Sequence, residues 1–322
     1  MLAICCVSWC AETTLGQDDP PIKVNTVLLN VPVFVSDKNG RPVSGLSKED
    51  FELTVREKKQ KIDFFVDKGP IAVAILIDSN SNTRDVLDRI KRDAQRFIDL
   101  LEPQDNAMVI RFDGGYKVMC ELTSDRDKLR RAVGKIESYQ YRIRAMDKVL
   151  HQVIFLELAG VKGRKAIIIL GDPDSAVPWY SNPEYLSNSQ NFLPESDVAV
   201  YPIFYKTTSF PRKFEGTTLT IDQLVHIPPV DNYNSYAVLT GGRLYASDAN
   251  DFKTAFQQIV DEIRNQYVLS FHVDSELGYK GSNVSIKMAR QNLNVRAKQK
   301  VKTSAAEERK KLVSRYMIGR LR

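Results

Sequence analysis

Cysteine is scarce: the chain has four in 322 residues, and three of them (Cys5, Cys6 and Cys10) fall within the first ten positions. With that apolar start set aside, Cys120 stands alone, which excludes a disulfide framework. A single cysteine within a strand belongs to a core more readily than to a nucleophilic site. The three histidines, His151, His226 and His272, are too far apart for metal-ligand spacing. No run approaches the roughly 18 apolar residues that cross a bilayer. A Gly-rich phosphate loop after a strand and a Gly-x-Ser-x-Gly elbow are both missing, and Gly241-Gly242 reads as a turn. Positive charge is scarce outside one place. Of a net charge of +6, residues 298–322 carry +7, so the body is close to neutral at −1. That distribution excludes a globally basic nucleic-acid binder.

The chain does have hydrophobic content, 43% of it, enough for two globular modules. The most informative stretch runs from Ile71 through Ile77 into Asp78-Ser79-Asn80-Ser81-Asn82-Thr83. A short, β-branched, uninterrupted apolar run is a strand buried on both faces, as at the centre of a parallel sheet. Open α/β sheets bind ligands at the carboxyl ends of such strands. Asp78 with Asn80 and Asn82 offers hard oxygen donors of the kind Mg²⁺ and Mn²⁺ take. The same residues are also good caps for a following helix. A second apolar run over 166–170 ends in Gly171-Asp172-Pro173-Asp174, which places a second acid at a strand end.

Between and after these runs the periodicity alternates. Residues 85–101, 125–136, 145–158 and 251–264 have helical spacing, while 107–112, 117–122 and 198–205 read as strands. The pattern predicts a doubly wound, mostly parallel α/β sheet. Its flanks are β-rich. Val27, Leu29, Val31, Val33 and Val35 alternate, as do Phe51, Leu53 and Val55, and Ile62, Phe64 and Val66 read as a return strand. Short alternating strands recur over 267–273, 283–289 and 293–295. Neither flank alone buries enough apolar area, so the two are expected to pair into one β-sandwich-like module. The expected division is a leader remnant over 1–21, a β-rich flank over 22–68 and an α/β domain over 70–266. The second flank follows over 267–300 and a basic C-terminal helix over 301–322. The linkers fall at 67–70 and near Tyr267. The stretch 207–235 reads as long and irregular, on the ligand-binding side.

The order of these strings resembles a von Willebrand factor A-type (VWA) domain, in particular the VWA-related acidobacterial-type family. The likeness covers residues 22–300. It rests on the two strand-acid pairs, on Arg41-Pro42-Val43-Ser44-Gly45-Leu46-Ser47-Lys48-Glu49-Asp50-Phe51 and on Gly163-Arg164-Lys165-Ala166-Ile167-Ile168. Leu239-Thr240-Gly241-Gly242-Arg243-Leu244-Tyr245 and Ile263-Arg264-Asn265-Gln266-Tyr267-Val268-Leu269 complete it. The resemblance implies a metal-ion-dependent adhesion site with the pattern Asp-x-Ser-x-Ser, a Thr in a middle loop and a second Asp. Asp78 and Asp172 match the two acids. Asn80 and Asn82 stand at the serine positions and Ile143 near the threonine position, between Arg142 and Arg144. Asn still offers an amide oxygen, Ile offers nothing, and the arginines bring positive charge. The expectation is a degenerate site that binds Mg²⁺ or Mn²⁺ weakly or not at all, a guanidinium taking the cation's place.

The functional expectation is a non-enzymatic protein-binding module, secreted or periplasmic, with its partner on Arg142, Arg144, Trp179 and Tyr180. Trp and Arg dominate interface hot spots. The alternatives are a VWA domain that still binds Mg²⁺ and acidic ligands, or a haloacid-dehalogenase-like phosphohydrolase using Asp78 with Lys165, Asp172 and Asp174. Asn80 weighs against the phosphohydrolase, because that class places its general acid there and an amide cannot shuttle the proton. The basic tail is expected to be a solvated helix face, with contact to acidic surfaces as its alternative role.

Overall fold

The computed structural model describes residues 26–113, 115–139, 146–173, 192–208, 228–247, 251–274 and 281–302. A six-stranded sheet forms its centre. Strand β5 (Ile71–Asp78) is flanked by β6 (Asn106–Phe112) and β8 (Arg164–Gly171), and the sheet runs β10-β9-β8-β5-β6-β7. Strands β9 (Ala199–Tyr205) and β10 (Tyr245–Ser247) continue it in parallel, and β7 (Tyr116–Thr123) closes the other edge antiparallel to β6. Every residue of β5 and β8 is buried. The doubly wound α/β expectation is therefore correct.

Both faces of this sheet are covered, which is why its central strands read as continuous apolar runs. Ile71, Val73, Ile75 and Ile77 face one layer, formed by α1 (Leu87–Asp99), α2 (Arg126–Gly134) and α5 (Lys253–Arg264). Ala74 and Leu76 face the other, formed by α3 (Met146–Gln152) and α4 (Pro228–Thr240). Helix α1 shows the local logic well: Leu87, Ile90, Ala94, Phe97 and Ile98 recur at helical spacing and are all buried. The helical periodicity read over 145–158 resolves into α3 followed by a π-helical turn, Val153–Glu157.

Two further antiparallel sheets are built jointly by the two ends of the described chain. One has the order β13-β1-β11-β4, from β1 (Thr26–Ser36), β4 (Phe64–Val66), β11 (Tyr267–Asp274) and β13 (Asn294–Ala297). The other has the order β14-β12-β2-β3, from β2 (Phe51–Val55), β3 (Lys58–Lys59), β12 (Ser282–Met288) and β14 (Lys300–Val301). A third core joins them through Val31, Val33, Leu53, Leu269, Phe271 and Val284. Phe51, Phe65 and Tyr267 pack ring to ring at centroid distances of 5.4, 5.5 and 5.7 Å. The Tyr267 hydroxyl donates to the Val43 carbonyl at 2.8 Å.

Three readings need correction. The strand at Phe64–Val66 does not return along β2; it pairs with β11 in the opposite sheet, and β2 is flanked instead by β12 and the two-residue β3. The last part of the 207–235 stretch is not irregular, because helix α4 begins at Pro228. Lys298, counted with the solvated basic tail, is only 2% exposed, and its ammonium donates to the carbonyls of Ser196 at 2.6 Å and Pro194 at 3.1 Å. The expected leader over 1–21 and the terminal helix beyond 302 lie outside the described residues.

Candidate functional site

The strand order reverses between β5 and β8, and the two acids stand at the carboxyl ends of these neighbours. That is the topological switch point where open α/β sheets form ligand crevices. Asp78 and Asp172 are 0% and 1% exposed. Asp78 Oδ1 accepts from the Asn80 amide at 3.1 Å. Asn80 Oδ1 accepts from the Asn82 N–H at 2.7 Å and caps the short 3-10 turn Ser81–Thr83. Thr83 Oγ1 donates to the carbonyls of Asp78 and Asn80, each at 3.0 Å. Ser79 is tied to the next strand, with its N–H and Oγ both on the Phe112 carbonyl at 2.9 and 3.1 Å. The Tyr139 N–H in turn donates to the Ser79 carbonyl at 2.8 Å.

Three residues complete the site that sequence reasoning did not assign to it. Thr207, just past β9, donates its hydroxyl to Asp172 Oδ2. Tyr233 of α4 donates to the Asp172 carbonyl at 3.1 Å. Gly171 separates the acids: a Cβ there would sit 2.5 Å from the Asp78 Cβ and 2.9 Å from its Oδ2. Only a residue without a side chain lets the Asp78 carboxyl lie across the end of β8. No local signal identifies Thr207 or Tyr233, because both reach Asp172 only once β9 and α4 have packed.

Beside the acids, Arg111 pairs with Asp113 at 2.5 Å, and its guanidinium lies 4.0 Å from the centroid of the Tyr139 ring. Among the described residues, no three His, Cys, Asp or Glu side chains are grouped to hold a metal ion. Four sequence-stated site residues, Arg142, Arg144, Trp179 and Tyr180, lie outside the described residues, as do Ile143 and Asp174. Lys165, needed for the phosphohydrolase arrangement, is at the wrong end of the sheet. It aligns with Ala72, six residues before Asp78, so about 20 Å separates them along the strand. Its ammonium pairs instead with Asp197 at 2.7 Å.

Strand order, a single antiparallel edge and acids at the ends of β5 and β8 give the protein an α/β fold like that of VWA domains. No protein-family model matches the chain, and no curated protein matches it. Among solved structures it is similar to an aerotolerance-related membrane protein from Bacteroides fragilis, with 17% identity over 60% of this chain and 98% of that one, at a TM-score of 0.40. It is also similar to the vWF domain of the type V pili tip protein Mfa5 from Porphyromonas gingivalis, with 12% identity over 60% and 95% and a TM-score of 0.42. A von Willebrand factor type A structure from Catenulispora acidiphila matches with 12% identity over 88% and 75%, at a TM-score of 0.42. These likenesses are distant.

Proposed function

We propose that this chain is a non-enzymatic, extracytoplasmic protein-binding module whose metal-ion-dependent adhesion site is degenerate. The observation that carries this reading is the use already made of the oxygen donors at the switch point. Mg²⁺ needs near-octahedral oxygen coordination. Here Asn80 Oδ1 is committed to a backbone N–H, and Asp78 and Asp172 each give one oxygen to a protein donor. That donor set does not fit a resident divalent ion, and Ile143 adds no ligand at the threonine position.

Recognition then rests on shape and on side chains other than metal ligands, with Arg142, Arg144, Trp179 and Tyr180 as the proposed contacts. Residues 22–68 and 267–300 act as one supporting module beside a binding domain over 70–266. No helix among the described residues is long and apolar enough to cross a membrane. The distance of Lys165 from Asp78 weighs against the phosphohydrolase.

The test is calorimetric titration of Mg²⁺ and Mn²⁺ into chelator-treated protein, with Asp78→Ala as control. No heat of binding up to low-millimolar metal is expected. Micromolar binding that disappears in the control would overturn the degenerate-site reading. Hydrolysis of p-nitrophenyl phosphate that depends on Asp78 would overturn the non-enzymatic one.

A further inference from the structure

The flanking sheet of order β14-β12-β2-β3 turns Leu53, Val55, Val284 and Val301 into the third core. The alternate positions form its outer face, where Glu52, Asn283, Ser285, Lys287 and Lys300 are exposed. Register fixes what lies side by side there. Lys300 stands opposite Asn283, Thr54 lies between Ser285 and Lys59, and Lys287 stands opposite Glu52. Lys61, two residues past Lys59, keeps the same phase and is also exposed. The middle of the face thus carries the short polar side chains Asn283, Ser285 and Thr54, and its border carries ammonium groups.

Arg56, Lys58, Lys59, Lys61, Lys287 and Lys300 are exposed here against two exposed acids, Glu52 and Glu57, a net +4. Residues 1–297 as a whole stand at −1, so this charge is concentrated. Among the described residues only one of the six cations makes an ion pair, Lys59 with Glu52 at 3.6 Å, and both side chains are more than half exposed. A pair that exposed is weak. The face has no exposed large apolar residue to form the core of a protein interface. It has no aromatic residue on which a nucleic-acid base could stack.

Strand β14 and Lys302 lead into residues 303–322, whose sequence holds six Lys/Arg against two Glu, a further +4. In that sequence Leu312, Val313, Tyr316, Met317 and Leu321 recur at helical spacing. Cations combined with an apolar stripe are the composition of a segment that lies in a lipid interface.

We propose that the outer face of this sheet docks on an anionic phospholipid surface. Asn283, Ser285 and Thr54 meet headgroup oxygens inside the border of lysines, and the following segment supplies a second attachment. This docking depends on neither Asp78 nor Asp172 and is separate from the protein-binding reading.

The test is co-sedimentation of the full chain with vesicles of equimolar phosphatidylcholine and phosphatidylglycerol, against vesicles of phosphatidylcholine alone. Binding to the anionic vesicles only is expected, with release in about 0.5 M NaCl, where screening shortens the reach of surface charge. Each cation near an anionic surface contributes about fivefold in affinity, so Lys59→Gln, Lys287→Gln and Lys300→Gln together should weaken binding by roughly tenfold or more. Asp78→Ala should leave it unchanged. If the triple variant does not fold, Lys58→Gln with Lys61→Gln decides, with a several-fold loss expected. No binding to the anionic vesicles, equal binding to both vesicle types, or affinity unchanged in the lysine variants overturns the proposal. Capture on heparin without vesicle binding assigns the face to a soluble polyanion and overturns it equally.

Discussion

Gly171 and Thr207 set the position of the switch-point acids without being acidic themselves. A methyl group at Gly171 meets the Cβ and carboxyl of Asp78 well inside van der Waals distance, with a buried strand on either side. Overpacking of this kind costs about 1–3 kcal/mol. Gly171→Ala is therefore expected to lower the unfolding free energy by that amount, read as a lower urea midpoint with an unchanged slope. Thr207→Val keeps the shape but removes a donor from a carboxylate that is 1% exposed. A loss of about 1–3 kcal/mol is expected by the same measurement; an unchanged midpoint would mean the hydroxyl contributes nothing. Asp78 and Asp172 were legible because an acid ending an apolar run is a local signal. Gly171 stood in the same string, but its reason is contact with a strand about 90 residues earlier in sequence. The proposed partner residues, read from composition, have no described geometry.

Among the elements, those with a clean period were readable and those with mixed composition were not. Helix α1 and strands β5 and β8 follow directly from spacing and β-branching. Helix α4 escaped because it opens on two prolines and carries Asp231, Asn232, Asn234 and Ser235. Its buried face is nevertheless helical in spacing: Val230, Tyr233, Tyr236 with Ala237, and Thr240. The tyrosines supply both apolar area and a polar tip. The Tyr236 hydroxyl donates to Asp147 of α3 at 2.5 Å, and burial together with that carboxylate holds the phenol well above its ordinary pKa. Tyr236→Phe leaves the ring packing intact and removes one donor from Asp147. About 1–2 kcal/mol should be lost in denaturant unfolding. Strand β4 teaches the complementary lesson. Its alternation was visible, but the choice of sheet depends on Phe65 stacking against Tyr267, and no local pattern encodes a partner two hundred residues away.

At the scale of the whole molecule, charged side chains reach from the flanking sheets into the α/β domain, and one of them makes stability depend on pH. Within the α/β domain, Asp105, 1% exposed, accepts from the Ile71 and Glu102 backbone amides and from Arg264. Arg296 of β13 pairs with Glu262 of α5 and stacks over Phe34 of β1 at 4.7 Å. Lys298 differs from these: it is buried between the two parts and holds only carbonyl oxygens, with Asp197 and Glu195 acting at longer range. Burial pulls its pKa down from 10.5 to about 8, and the two acids offset only part of that. The folded state therefore disfavours the charged form. Below pH 8 lysine is protonated both folded and unfolded, and the full penalty is present, on the order of 3 kcal/mol. Between pH 8 and 10.5 the folded protein sheds its proton first, so the penalty fades and this contribution to stability rises. Buried Tyr201, held far above its ordinary pKa, opposes that trend only above about pH 10, where the unfolded phenol ionises. Wild type is thus expected to gain stability from pH 8 to 10 relative to Lys298→Met, measured by urea unfolding at each pH. Parallel profiles for the two proteins would show that Lys298 titrates as an ordinary solvent-exposed lysine, and that the junction does not depend on its charge.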